Sequence, residues 1–164
     1  KLGVAVHGAG WVAGEHLRAY KNNPRCQVRV VSSRREESAR AKAREAGIEC
    51  DISTRLEEVL ARDDVDIVSL CTPNHLHPQE TVAAARAGKH VLIEKPVALD
   101  LDDLRRMCDA VGEAGVKSVV SFVLRWNPLF TCIKSLLDAG AIGKLFHAEV
   151  DYFHEIGPWY AGWE

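Results

Sequence analysis

One turn near the start constrains the fold of this chain more than any other stretch. Leu2-Gly3-Val4-Ala5-Val6-His7 is a short apolar run that ends in Gly8-Ala9-Gly10. Trp11 to Asn22 then reads as a helix, stopped by Asn22-Asn23-Pro24. Gly8-x-Gly10-x-x-Ala13 between a buried strand and a helix fits the dinucleotide fingerprint, in the form that takes alanine at its third position. Gly8 permits the tight strand-to-helix turn, Gly10 lets a pyrophosphate approach the backbone, and Ala13 lets helix and strand pack closely. The helix start offers N–H groups and the positive end of its dipole to the phosphates. Gly8, Gly10, Trp11 and Val12 are the candidate contacts there.

The segments that follow keep alternating. Cys26 to Ser32 reads as a second strand and Arg35 to Ala46 as a helix closed by Gly47. Thr54-Arg55-Leu56-Glu57 has the pattern of a capping box for a short helix through Leu60. Asp66 to Cys71 is a strand, His75 to Ala87 a helix, and Lys89 to Ile93 a strand running into Glu94-Lys95-Pro96. Asp100 should cap a helix with Leu101, Leu104, Cys108 and Val111 as its apolar stripe. Lys117 to Val123 reads as a strand, and a helix from Asn127 or Pro128 should turn Leu129, Ile133, Leu136 and Leu137 inward.

Strands that are nearly all apolar belong to a parallel sheet covered on both faces, and repeated βα units make the doubly wound Rossmann fold. Phe146 to Phe153 differs, with Glu149 and Asp151 on one face and Val150 and Tyr152 on the other, as in an antiparallel sheet with one open face. The expected organisation is a dinucleotide-binding domain over 1–126 and the incomplete start of an α/β domain with an antiparallel sheet over 127–164. The chain begins at Lys1 and ends on Trp159-Tyr160-Ala161-Gly162-Trp163-Glu164, which reads like the middle of something longer.

Composition narrows the partners. At 164 residues, 47% apolar and 27% charged, the chain is ordinary for a soluble domain. A net charge of −2 gives no broad attraction to nucleic acid or an anionic membrane. No apolar run approaches the roughly 18 residues of a membrane span. Cys26, Cys50, Cys71, Cys108 and Cys132 match no zinc or redox spacing. They are expected to be reduced and mostly buried, as in a cytoplasmic protein.

The second strand ends on Ser32-Ser33-Arg34-Arg35, where NAD-preferring domains usually place an acid about 20 residues past the turn. Without that acid, the serines and Arg34 suit a 2′-phosphate, so NADP is slightly preferred over NAD. Thr72-Pro73-Asn74 follows a strand at its carboxyl end, where ligands bind in this fold. His75 and His77 have no third ligand nearby in sequence, and no metal is expected.

Together, Gly8-Ala9-Gly10-Trp11, then Cys71-Thr72-Pro73-Asn74-His75-Leu76-His77, then Ala87 to Pro96 resemble the Gfo/Idh/MocA family of oxidoreductases, with the Glu-Lys-Pro triplet as the most specific mark. The resemblance implies a Rossmann domain followed by an α/β domain with a largely antiparallel sheet, in a protein more than twice this length. It implies hydride transfer between NAD or NADP and a sugar- or cyclitol-like alcohol or its ketone. It also implies that Lys95 contacts the substrate hydroxyl and aids proton transfer, and that Glu94 orients Lys95 or binds the cofactor. Pro96 rigidifies that turn and is a candidate for a cis bond. Cys71, Thr72, Pro73, Asn74, His75 and His77 would line the cofactor, and Arg125 and Trp126 would border it. The full-length protein is expected to be a homo-oligomer. Two other readings stay open: a glycosidase of the same family that uses tightly bound NAD for transient oxidation, and a non-catalytic regulatory protein that senses NADP(H).

Overall fold

The computed structural model describes residues 1–153, and the chain divides into two compact units, Lys1–Phe122 and Val123–Glu164. The first unit is a parallel sheet of six strands: β1 (Leu2–His7), β2 (Cys26–Ser32), β3 (Asp51–Ser53), β4 (Ile67–Leu70), β5 (His90–Ile93) and β6 (Ser118–Val120). Five helices join them: α1 (Trp11–Asn22), α2 (Glu36–Ala46), α3 (Leu56–Leu60), α4 (His77–Arg86) and α5 (Leu101–Ala114). The spatial order is β3-β2-β1-β4-β5-β6, so the order reverses between β1 and β4. A doubly wound sheet opens a crevice at that reversal, outside the carboxyl ends of the strands.

Both faces of the sheet are covered. Val4 and Val6 pack with Ala13 and Leu17 of α1 and Ala39 and Ala43 of α2. Ala5, Val68, Leu70, Val91 and Ile93 pack with Val59, Ala84 and Met107 on the side of α3, α4 and α5. β2 serves both layers through a bulge: Val4 pairs with Val28 but Ala5 pairs with Val30, which sends Val28 and Val31 to one core and Val30 to the other. Each fully buried valine or leucine contributes about 1.5–3 kcal/mol relative to exposure, so the central strands anchor the unit.

Several local expectations are corrected. The short strand β3 was not anticipated, and the capping box at Thr54 is not formed. Arg55 is the N-cap residue of α3 and has no side-chain cap, while the Ser53 hydroxyl accepts from the Arg55 amide and donates to Glu58. The segment from Asn74 to Leu76 is a 3₁₀ turn, and α4 begins at His77. Asp100 does cap α5, accepting from the Asp103 amide at 2.8 Å, but the buried stripe is rotated from the one expected. Met107 and Ala110 are buried and Leu101 and Cys108 are exposed, because Met107 is the residue that reaches the core beside α4. Among the cysteines only Cys71 is buried.

In the second unit a 3₁₀ turn, Val123–Trp126, precedes α6 (Pro128–Asp138). Asn127 caps α6, accepting from the Leu129 amide at 2.9 Å, with Pro128 in the first turn, where its missing N–H costs nothing. Leu129, Ile133, Leu136 and Leu137 are exposed rather than turned into a core. The strand expected from Phe146 to Phe153 is absent: residues 145–153 have no regular secondary structure. The alternating pattern is in the sequence, but a strand exists only when another strand satisfies its backbone, and no other strand occurs in this unit among the described residues. The aromatic terminus from Trp159 lies outside the described residues.

Candidate dinucleotide site

The turn after β1 is built as the sequence suggests. Gly8 adopts φ +104°, and its N–H donates to the Ser32 carbonyl at 2.8 Å. A β-carbon on Gly8 would lie 2.4 Å from the Cys71 carbonyl oxygen, so nothing larger than hydrogen fits. Gly10 differs, since a β-carbon there would meet nothing within 4 Å. Gly10 opens α1, whose first turn carries neither a side-chain cap nor an acidic residue. Open space over a helix start without a competing carboxylate fits a pyrophosphate. Ala13 is fully buried under the turn, Val12 is half-buried against the α1-side core, and Trp11 is exposed beside it.

Backbone hydrogen bonds hold the neighbouring loops in a row at the carboxyl ends of the strands. The Cys71 amide donates to His7 O at 2.7 Å, the Glu94 amide to Leu70 O at 3.1 Å and the Ser121 amide to Ile93 O at 2.8 Å. The loops after β1, β4 and β5 therefore lie side by side at the crevice, with the end of β2 on the far side of β1.

At that end Ser32 and Ser33 have different surroundings. Ser32 is fully buried and its hydroxyl bonds the His7 ring Nδ1 at 2.6 Å, so its side chain is engaged inside the fold. Ser33 is half-buried, and Arg34 and Arg35 are exposed. Ser33 and Arg34 thus offer the side chains that an adenosine ribose or its phosphate could meet.

Beneath the glycine turn lies a buried polar cluster that the sequence reading missed. His7 Nε2 lies 3.4 Å from Glu80 Oε1, and the Thr72 hydroxyl donates to Glu80 Oε2. His77 is almost fully enclosed, with Nε2 2.9 Å from Thr72 O and Nδ1 3.0 Å from Pro96 O. It braces the backbone of the two loops from below, and its ring nitrogens face protein carbonyls. Pro73, Asn74 and His75 are exposed above. Cys71 is buried against the α1-side core, and burial, with the nearby Glu94 charge, pushes its thiol up to about 12. Only the Cys71 backbone is at the turn.

Glu94 and Lys95 face opposite ways. Lys95 is exposed, and its peptide bond to Pro96 is cis. Glu94 is buried, with Oε1 2.9 Å from His16 Nε2 and Oε2 accepting from the Lys95 amide at 3.2 Å. Burial alone would raise the Glu94 carboxyl, but hydrogen bonds from His16 and Ser121 hold it below the usual carboxylate range. The ring of His16 is also 2.7 Å from the Ser69 hydroxyl through Nδ1.

The first unit thus gathers Gly8, Gly10, Thr72, Pro73, Glu94, Lys95 and Pro96 at one edge. Arg125 and Trp126 belong to the second unit, where both are exposed on the 3₁₀ turn. Among the described residues no group of three or more His, Cys, Asp or Glu side chains is placed to hold a metal ion, and no helix is long and apolar enough to cross a membrane. His7, His16 and Glu80 escaped sequence reasoning. The available signal was an acid on the buried face of α4, beside Thr81 and Ala84, and a histidine closing an otherwise apolar strand.

The open parallel sheet, the glycine turn and the loops converging on the β1/β4 reversal define a dinucleotide-binding Rossmann domain. The chain belongs to the Gfo/Idh/MocA oxidoreductases: the profile described as "Oxidoreductase family, NAD-binding Rossmann fold" matches residues 2–122. It is 36% identical to 1,5-anhydro-D-fructose reductase of Ensifer adhaerens over 162 residues, covering 99% of this chain and 47% of that protein. It is 32% identical to levoglucosan dehydrogenase of Pseudarthrobacter phenanthrenivorans over 162 residues, 94% of this chain and 41% of that one. The solved structure of a levoglucosan dehydrogenase in complex with NADH and L-sorbose superposes with a TM-score of 0.83 at 31% identity, covering 88% of this chain and 40% of the other. The chain therefore spans less than half the length of these relatives.

Proposed function

We propose that this chain is the cofactor-binding part of an NAD(P)-dependent oxidoreductase that interconverts a sugar- or cyclitol-like alcohol and its ketone. The observation that carries the reading is the position of Lys95. It is exposed on the loop after β5, beside the loop that follows β4 and the glycine turn that follows β1. The relatives named as a sugar reductase and a levoglucosan dehydrogenase support the substrate class.

The residues divide the work. Gly8 and Gly10 leave room for the pyrophosphate at the start of α1, and Trp11 and Val12 flank it. Ser33 and Arg34 meet the adenosine ribose, and the guanidinium suits a 2′-phosphate, which favours NADP. Thr72, Pro73 and Asn74 line the nicotinamide side, with His77 bracing them from below. The nicotinamide, when bound, supplies the hydride acceptor or donor. Lys95 handles the proton at the substrate hydroxyl: as a free amine it takes that proton during oxidation, and as an ammonium it returns it during reduction. The rest of the protein would supply the antiparallel substrate-facing sheet and the contacts of a homo-oligomer.

The test is oxidation of a panel of sugars and cyclitols by the whole protein, followed through reduced-nicotinamide absorbance. Lys95→Met should lower kcat by about 10²-fold or more while cofactor affinity stays in place. Unchanged turnover in Lys95→Met would remove the lysine from the reaction.

A further inference from the structure

The helix that begins at the glycine turn and the loop that carries Lys95 are linked inside the fold through two side chains. His16 lies on the face of α1 that also buries Ala13 and Leu17, and only 8% of it is exposed. Its Nδ1 is 2.7 Å from the Ser69 hydroxyl on β4, which is itself fully buried, so the ring is fixed against the sheet. Its other nitrogen is 2.9 Å from Glu94 Oε1. The second oxygen of Glu94 accepts the backbone N–H of Lys95. A carboxylate can only accept, so N–H and O–H donors must surround it, and here they come from His16, Ser121 and Lys95. The Glu94 carboxylate is thus engaged by the protein interior while the next side chain points to solvent.

We propose that His16 is a positioning residue for Lys95: by anchoring Glu94 it fixes the Glu94–Pro96 loop relative to the helix that opens on Gly10. The inference rests on the dinucleotide-binding reading and adds a coupling between the two ends of the site. Without the His16 donor the buried carboxylate is left short of partners and turns toward water. The Lys95 amide then loses its acceptor, and the loop beside the nicotinamide position loosens. The glycine turn is held by other contacts, the Gly8 amide on the Ser32 carbonyl and the Cys71 amide on the His7 carbonyl.

The experiment uses the 164-residue chain with two probes: NADH, and ADP-ribose, which lacks the nicotinamide. Binding is measured by calorimetry, and exchange of the Lys95 amide by NMR without ligand. In His16→Ala, NADH affinity should fall about tenfold or more while ADP-ribose affinity stays within about twofold, and the Lys95 amide should exchange at least about tenfold faster. His16→Gln, which keeps a donor, should recover part of both effects. Glu94→Gln, which keeps the shape but not the charge, should move both readouts in the direction of His16→Ala if the latter does not fold. A parallel loss of both ligands in a folded variant, or an unchanged Lys95 amide, would overturn the proposal. A wild-type chain that binds neither probe would instead overturn the dinucleotide reading, and the amide exchange would still report on the His16 anchor.

Discussion

Gly8 sits so close to Cys71 that a β-carbon on the glycine would lie 2.4 Å from the cysteine's carbonyl oxygen. This contact joins the ends of β1 and β4, the two strands between which the sheet order reverses. Two constraints act on Gly8 together, the positive φ and the close approach, whereas neither acts on Gly10. Two glycines of one motif therefore have separable jobs.

Substituting each glycine should separate those jobs. Gly8→Ala forces a side chain into a positive-φ position and against backbone, and should cost about 2–4 kcal/mol of stability. Gly10→Ala should cost less, about 0.5–1.5 kcal/mol, because its β-carbon meets no protein atom and the loss is only that of a poorer N-cap. Gly10→Ala should nevertheless weaken dinucleotide binding about tenfold or more, since the added methyl occupies the phosphate approach. Urea unfolding midpoints together with calorimetric titrations check both statements. Equal losses of stability in the two variants would contradict the assignment.

Arg34→Ala should reduce NADPH affinity about tenfold and leave NADH within about twofold, the scale of one charge-assisted phosphate contact. The difference should shrink as salt is raised, because Arg34 is exposed. Fluorescence titrations of both cofactors at two ionic strengths measure it. A preference that survives the substitution would remove Arg34 from the ribose end.

The His7–Glu80 pair predicts non-additive mutations. Glu80→Leu leaves the Thr72 hydroxyl and His7 Nε2 without their acceptor in a buried site, and should destabilise by about 2–3 kcal/mol. His7→Val with Glu80→Leu should cost less than the sum of the two single losses, because the contact they share is lost only once, while the Ser32 and Thr72 hydroxyls stay without these partners. A double-mutant cycle on denaturation free energies tests this. Strict additivity would mean the two side chains do not interact.

The Glu94 carboxyl, held below its ordinary 4.5 by its donors, gives a pH dependence of known sign. The native state binds this proton more weakly than the unfolded chain does. Its contribution to stability is therefore complete above about pH 4.5 and is lost as pH falls through the lowered native value. The Tm gap between wild type and Glu94→Gln should stay steady from about pH 7 to pH 5 and narrow below about pH 4.5. A gap that is constant down to about pH 3 would show that the charge of Glu94 is not what the interior recognises.

Much of the first unit was legible because its signals are local and repeat. The apolar runs at Val4–Val6 and Val68–Leu70 specify buried strands, and Gly47 and Gly88 stop helices in the left-handed conformation that glycine favours. What stayed hidden depends on distant partners. On α5 the periodicity pointed to Leu101, Leu104, Cys108 and Val111, and only packing puts Met107 inside in place of Leu101 and Cys108. β3 is three residues long and exists because Val30, Val31 and Ser32 pair with it. At the site, the glycines and the Glu-Lys-Pro triplet stood out, but the partners of Glu94 did not. His16 and Glu94 are 78 residues apart, and no local pattern links them. Ser32 illustrates the opposite case: the sequence offered it to a ribose, while the fold buries its hydroxyl against His7.

The measurement that tests the central claim most directly is a titration of this chain with NADPH and NADH, followed by nicotinamide fluorescence, alongside Gly10→Ala. The account predicts saturable binding of at least one cofactor at micromolar to submillimolar concentration, tighter for NADPH, and a loss of about tenfold or more in Gly10→Ala with the chain still folded. Failure of both cofactors to bind the folded chain at about millimolar concentration would contradict it.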